Sequence, residues 1–226
     1  MMGDAEARVS FFRLVRDPMS GMTHGIGALL AVIGLVVLID RALDPFKPWH
    51  LVTYSVFGVG LLALYTVSTL YHWLPLSEKG IRALRKMDHM MIFVLIAATY
   101  TPFCLIPLRG PWGWSIFGTV WFLAVAGMLF KVFWIEAPRG LAAGMYVGMG
   151  WVAVVAVWPL VKTLPYGALA WLLAGGISYS IGALIYALKR PDPWPGWFGF
   201  HEVFHVLVIL GSLCHFWTVY HYVSAF

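Results

Sequence analysis

Charge is what this sequence has least of. Only 11% of its 226 residues are Asp, Glu, Lys or Arg, against about 25% in globular chains, and 61% are hydrophobic. That balance excludes a soluble domain. Cysteine is nearly absent too: Cys104 and Cys214 are the only two. Both fall inside apolar runs without Cys-x-x-Cys spacing, so there is no cysteine metal or redox motif, and two reduced thiols packing as small hydrophobes are expected. The chain has no internal repeat and no low-complexity segment. No signal peptide is expected, because residues 1–21 are polar and the first apolar run shows no cleavage pattern. The net charge of +5 invites a nucleic-acid partner, but the basic residues sit in short loops between apolar runs, where they set orientation in a membrane. No nucleic-acid partner is expected.

What the sequence does have is seven apolar runs of spanning length, roughly Met22–Ile39, Leu51–His72, His89–Leu108, Trp112–Phe130, Leu141–Trp158, Gly167–Leu188 and His201–Val223. Each is long enough to cross the ~30 Å hydrocarbon core as a helix. Pro- and Gly-rich links at 44–48, 109–111 and 190–196 break the chain between runs. The fold class expected is an all-α membrane protein, a bundle of seven transmembrane helices. Its domain plan is a short tail over 1–21, a membrane domain over 22–223 and an outer terminus at 224–226. Gly140, Gly144 and Gly148 recur every four residues in the fifth run and are expected to form a close helix–helix contact.

Orientation follows from the basic residues. Arg8, Arg13, Arg16, Lys79, Arg82, Arg85, Lys86, Lys131, Arg139, Lys189 and Arg190 fall on one side; only Arg41, Lys47, Arg109 and Lys162 fall on the other. The positive-inside rule puts the N-terminus in the cytoplasm and the C-terminus outside, in a multi-pass protein of the cell (inner) membrane.

That topology gathers distant residues into one layer. His72 ends the second run, Asp88 opens the third, His201 and His205 open the seventh and His24 begins the first, all at the cytoplasmic end. Ionisable groups at membrane depth are costly and are functional candidates by default. His201 and His205 are one helical turn apart, ~6 Å, on one face, so they can share a metal ion at ~2.0–2.1 Å from each nitrogen. With His72 they make three nitrogen ligands, the set of a catalytic zinc site with an open fourth position. Asp88 is either a fourth ligand or the group that holds and deprotonates a water there. Ser68, one turn from His72, either faces the same place or bonds back to the carbonyl four residues earlier. His24 either backs the ligands or is merely interfacial. His215 lies deeper and is expected to be structural, while His50 and His221 are expected near the outer surface and solvated. His201-Glu202-Val203-Phe204-His205 also matches H-E-x-x-H, whose glutamate is a general base in soluble metalloproteases. Here, however, the best third ligand is upstream in another span, which disfavours Glu202.

Taken together, Ser68-x-x-x-His72, Ser77-Glu78-Lys79, Lys86-Met87-Asp88, His201-x-x-x-His205-Val206-Leu207-Val208 and His215-Phe216, with Thr23-His24 in the first run, resemble the hemolysin III family. This is the bacterial branch of the progestin and adiponectin receptor superfamily, more distantly similar to alkaline ceramidases. The resemblance covers nearly everything after the N-terminal tail. It implies a seven-helix bundle with zinc (Zn2+) held by His72, His201 and His205, and with Asp88 and Ser68 supporting the water activated there. It lowers Glu202 further, because the family pattern requires histidines at the first and last positions of H-x-x-x-H and does not require an acid at the second. The chain lacks the long cytosolic N-terminal domain of the animal receptors, so no protein hormone is expected as partner.

The functional expectation is a zinc-dependent hydrolase cleaving an amide or ester bond of a membrane lipid, with Asp88 and Ser68 as catalytic residues. The alternatives are a non-enzymatic membrane sensor with structural zinc and a membrane-permeabilising cytolytic protein. Substrate and oligomeric state are not written in the sequence.

Overall fold

The computed structural model describes residues 15–226. Arg8 and Arg13, two of the eleven basic residues counted above, and most of the 1–21 tail lie outside the described residues. Over the described residues the chain is helical, with no strand. In order come α1 (Pro18–Leu43), α2 (Pro48–Trp73), α3 (Glu78–Leu105), α4 (Pro111–Phe133), α5 (Arg139–Gly150), a 3-10 segment (Trp151–Ala156), α6 (Val157–Thr163), α7 (Tyr166–Leu188) and α8 (Phe200–His221). Counting Arg139–Thr163 as one interrupted unit, seven helices are long and apolar enough to cross a membrane.

Local chemistry sets the ends. Pro18, Pro48 and Pro111 sit in the first turns of α1, α2 and α4, where the missing N–H costs no helical bond. The Ser77 side chain accepts from the Gly80 N–H and caps α3. That cap explains a boundary the hydropathy pattern misplaces. The third span was expected to open at His89, yet the helix begins eleven residues earlier. The polar stretch from Lys79 to Lys86 remains helical and continuous with the apolar run. Asp88 is therefore held inside a continuous helix.

Neighbouring helices in sequence pack side by side, and α8 closes the bundle by packing on both α7 and α1. The helix α3 is the central stave, with 61% of its apolar window buried against 22–50% for the others. Lipid offers no hydrophobic drive between helices, so close packing must supply the cohesion. Gly21 and Gly27 of α1 provide it. A Cβ at Gly21 would fall 2.1 Å from the Trp73 ring, and one at Gly27 would fall 2.8 Å from Tyr65.

The expected contact through Gly140, Gly144 and Gly148 is not formed. Among the described residues nothing lies within 4 Å of a Cβ built at any of them. The helix α5 buries the opposite face through Ala142, Ala143, Tyr146 and Met149, leaving the glycines turned outward. Nor is this span one helix. It loosens to 3-10 geometry at Trp151–Ala156, where Tyr100 of α3 accepts from the Ala153 N–H at 2.8 Å and donates to the Gly150 carbonyl at 2.5 Å. A side chain thus takes up backbone groups the regular ladder leaves free.

A four-histidine cluster at the head of an apolar cavity

His72 closes α2, His201 and His205 open α8, and His24 lies in the second turn of α1. The bundle brings all four to one end. One ligand atom from each of His72, His201 and His205 lies within 4.8 Å of the others. A shared ion at ~2.0–2.1 Å from each nitrogen needs donors within about 4.2 Å of one another, so small side-chain rotations suffice.

The hydrogen bonds fix which nitrogens are free. His72 Nδ1 donates to Asp17 Oδ2 at 3.1 Å, so a neutral His72 presents a bare Nε2. His205 Nδ1 lies 3.2 Å from the Ser20 carbonyl and 3.0 Å from Thr23 Oγ1. A carbonyl only accepts, so Nδ1 carries the proton and Nε2 is bare. The Thr23 hydroxyl donates to the same carbonyl at 2.8 Å, which leaves its oxygen to accept. His201 Nε2 faces His72 Nε2 at 3.2 Å. Bare nitrogens turned toward one another repel unless a cation or a proton lies between them. The donor set therefore fits a zinc ion, with the tautomers of His72 and His205 oriented by partners behind them.

Asp17 was not legible as part of this arrangement. Lying before the first apolar run, it reads as tail. In the fold its N–H donates to the His72 carbonyl at 2.9 Å, and its carboxylate takes both His72 and Arg16 Nε, the latter at 3.0 Å. The hydrogen bond from His72 first, and Arg16 after it, hold the Asp17 carboxyl below its ordinary range against the opposing push of partial burial, so it is ionised at neutral pH. The signal that could have found it is Asp17-Pro18, an acid directly before a helix-starting proline.

Asp88 and Ser68 reach the same place from α3 and α2, and both line one cavity with His24, His201 and His205. Asp88 lies close enough to feel His72 and Ser68, yet among the described residues Ser68 Oγ is buried without a hydrogen-bond partner of sound geometry. It does not bond back along α2; its neighbour Thr69 does, to the Tyr65 carbonyl at 2.7 Å. Glu202 turns elsewhere. It accepts from the Gly199 N–H at 2.8 Å and from the Ser20 hydroxyl, pinning the start of α8 to α1. That leaves a cap in place of the H-E-x-x-H base.

Beyond the polar head the cavity, about 400 Å³, runs along α3, the interrupted fifth span and α7 as far as Leu108, Ile116 and Leu169 near the opposite end. His215 lines it midway, its ring stacked on Tyr179 at 5.4 Å. His50, expected to be solvated, is buried and bonded to the Val223 carbonyl at 3.3 Å, because the C-terminal segment folds back over the start of α2. His221 is exposed, stacked on Trp217 at 5.2 Å. Both cysteines are free, Cys104 buried and Cys214 partly so.

With this geometry in hand, comparison with known proteins decides the family. The haemolysin-III related family matches residues 12–216. The chain belongs to that family. It is 39% identical to Hemolysin-3 of Bacillus cereus over 206 residues, 90% of each chain. It is 38% identical to the Hemolysin-3 homolog of Bacillus subtilis (strain 168) over 211 residues, 93% of this chain and 96% of the homolog. A more distant relative, the Adiponectin receptor protein of Drosophila melanogaster, is 26% identical over 229 residues, 92% of this chain and 50% of the receptor. The residues that carried the resemblance, from Ser68 to His215, all lie within the matched stretch. A haemolysin-III family member with seven spanning helices is a multi-pass membrane protein.

Proposed function

We propose that this protein is a zinc-dependent hydrolase of an amide or ester bond in a membrane lipid, working at the cytoplasmic face. The observation that carries this is the meeting of two features at one end of the bundle: three imidazoles close enough to share an ion, of which His201 and His205 line the head of the cavity, and an apolar wall running most of the bundle's length behind them. A volume of about 400 Å³ falls in the range of ~300–1,000 Å³ used for small ligands, and its apolar wall suits an acyl chain.

Zinc held by His72, His201 and His205 would supply Lewis acidity to a carbonyl oxygen and acidify a water beside it. The chain's own residues do the rest. Asp88 takes the proton released at the cavity head and returns it to the leaving group. Ser68, with its hydroxyl unspent, donates to the oxygen on which negative charge develops. Asp17 and the Ser20–Thr23 pair hold His72 and His205 in the tautomers that face inward. The surrounding helices keep bulk water from the acyl chain.

The rival reading is a sensor in which zinc only ties α2 to α8. Pore formation has less in its favour, since the cavity wall carries no charged stripe along its length. The deciding experiment is metal analysis on purified protein joined to a screen of lipid amides and esters. The hydrolase reading expects about one zinc per chain and turnover that chelation removes and zinc restores. Stoichiometric zinc without turnover of any lipid offered, and with no dye release from liposomes, would favour the sensor. Orientation is tested by a periplasm-dependent reporter, active when fused after Phe226 and silent after Arg85.

A further inference from the structure

His24 is the anomaly in the cluster. It is 3% exposed, and both of its ring nitrogens are buried without a hydrogen-bond partner of sound geometry among the described residues. His72 and His205 each commit one nitrogen to a partner and turn the other inward. A neutral imidazole carries one donor and one acceptor, and His24 uses neither. Ser68 Oγ, from the neighbouring helix, likewise lacks a partner of sound geometry among the described residues, and Ser68 lines the same cavity.

Packing prevents His24 from finding a partner by rotation. One face lies flat on His205, with centroids 3.5 Å apart and planes 11° from parallel. Tyr65 meets the ring edge-on at 5.1 Å, itself anchored through its hydroxyl to Ser212 at 2.7 Å and seated in the notch left by Gly27. The ring is thus locked with its hydrogen-bonding capacity intact at the polar head of a mainly apolar cavity. A purely structural slab beneath His205 needs a flat ring and no nitrogens; phenylalanine would serve and would leave nothing unsatisfied.

We propose that His24 is a ligand-contacting residue, whose free nitrogens hydrogen-bond the carbonyl-bearing polar end of the molecule that occupies the cavity. This rests on reading the cavity head as the place where a carbonyl docks. The stack on His205 sets the ring's position in advance, so that little ordering remains when the ligand arrives. Ser68 supplies a further hydroxyl from α2, so the polar end is held from two helices as well as from the histidine triad.

The test uses full-length protein saturated with zinc, with metal content measured on every sample. Two probes are titrated by calorimetry: acetohydroxamate, which is the polar head alone, and dodecanohydroxamate, which adds an acyl chain. Wild type is compared with His24→Phe, which keeps the stacked ring, and His24→Gln, which keeps a donor and an acceptor. The expected result is full zinc in both variants, both probes weakened about tenfold by His24→Phe, the loss expected from a hydrogen bond, and partial recovery in His24→Gln. Wild-type affinity in His24→Phe at full zinc would overturn the proposal and leave the ring a packing slab. A loss seen only where zinc content falls would also overturn it, since the ring would then act through His205. If the long probe binds wild type no tighter than the short one, the acyl-chain reading of the cavity fails, while the short probe still decides His24. Binding of neither probe to wild type would overturn both.

Discussion

The two ends of the bundle each bury histidine, and they do so differently. At the far end His50 is also buried, but its Nε2 meets the Val223 carbonyl, while Tyr54 pairs with Ser224 at 2.8 Å and Lys47 donates to the Ser224 carbonyl at 2.9 Å. The polar groups there are spent on fastening the C-terminal segment. At the other end His24, His72, His201 and His205 turn nitrogens toward one another or toward nothing. An unpaired buried nitrogen costs ~1–3 kcal/mol, and several in one place are a cost that the fold alone does not require. Burial of a histidine therefore says little about function; hydrogen-bonding capacity left unused says much.

The sharpest way to break this contrast is to remove one imidazole at each end. His205→Ala or His201→Ala takes one of the three proposed ligands from the cluster and should weaken zinc binding by more than the ~10–100-fold typical of losing a residue that merely backs a ligand. His50→Ala should leave zinc content and affinity unchanged and cost instead a modest amount of thermal stability, about 0.5–1.5 kcal/mol for the hydrogen bond plus lost packing. Metal analysis and melting curves on the same samples check both. Full zinc in a His201→Ala/His205→Ala double variant would dissolve the distinction between the two ends.

A smaller effect on metal and a larger one on chemistry is expected at Asp88. Asp88→Asn preserves shape but cannot take a proton, so a zinc-saturated sample should lose ~10²–10⁴-fold in turnover while keeping most of its zinc. If zinc only ties helices together, the loaded variant should work normally. Activity and metal content at saturating zinc separate the two outcomes, and full activity would remove Asp88 from the proton path.

Much of this was readable before the fold was known, and the reason is topological. Once seven spans and their alternation are counted, His24, His72, Asp88, His201 and His205 must share a layer, because each sits at a run boundary on the same side. What remained hidden depends on rotation about helix axes and on segments outside the apolar runs. Gly140, Gly144 and Gly148 show the first limit: their spacing guarantees a common face and says nothing about where that face points. The start of α3 at Glu78 shows the second, since a helix continues through polar residues when a serine caps it. Asp17 and His50 show the same limit, because each is positioned by a backbone segment that hydropathy does not describe.

Asp17 supplies the finest test, since it acts on the cluster without belonging to it. Its carboxylate receives the His72 Nδ1 proton and its N–H holds the His72 carbonyl, so it sets both tautomer and ring orientation from one residue. Asp17→Asn keeps the backbone bond and the size of the side chain but removes the charge. A carboxamide can still accept weakly from Nδ1, or it can flip and donate, which favours the opposite tautomer and turns the protonated nitrogen inward. The expected outcome is a folded protein with zinc affinity lowered ~10–100-fold, an effect smaller than that of removing a ligand. At saturating zinc most activity should return, because the proton path through Asp88 is untouched. Competition against a chelator of known affinity measures the first quantity, and activity as a function of free zinc measures the second. An unchanged affinity would show that the His72 tautomer is set by the cation and its other ligands, with Asp17 serving only to tie the start of α1 to the end of α2.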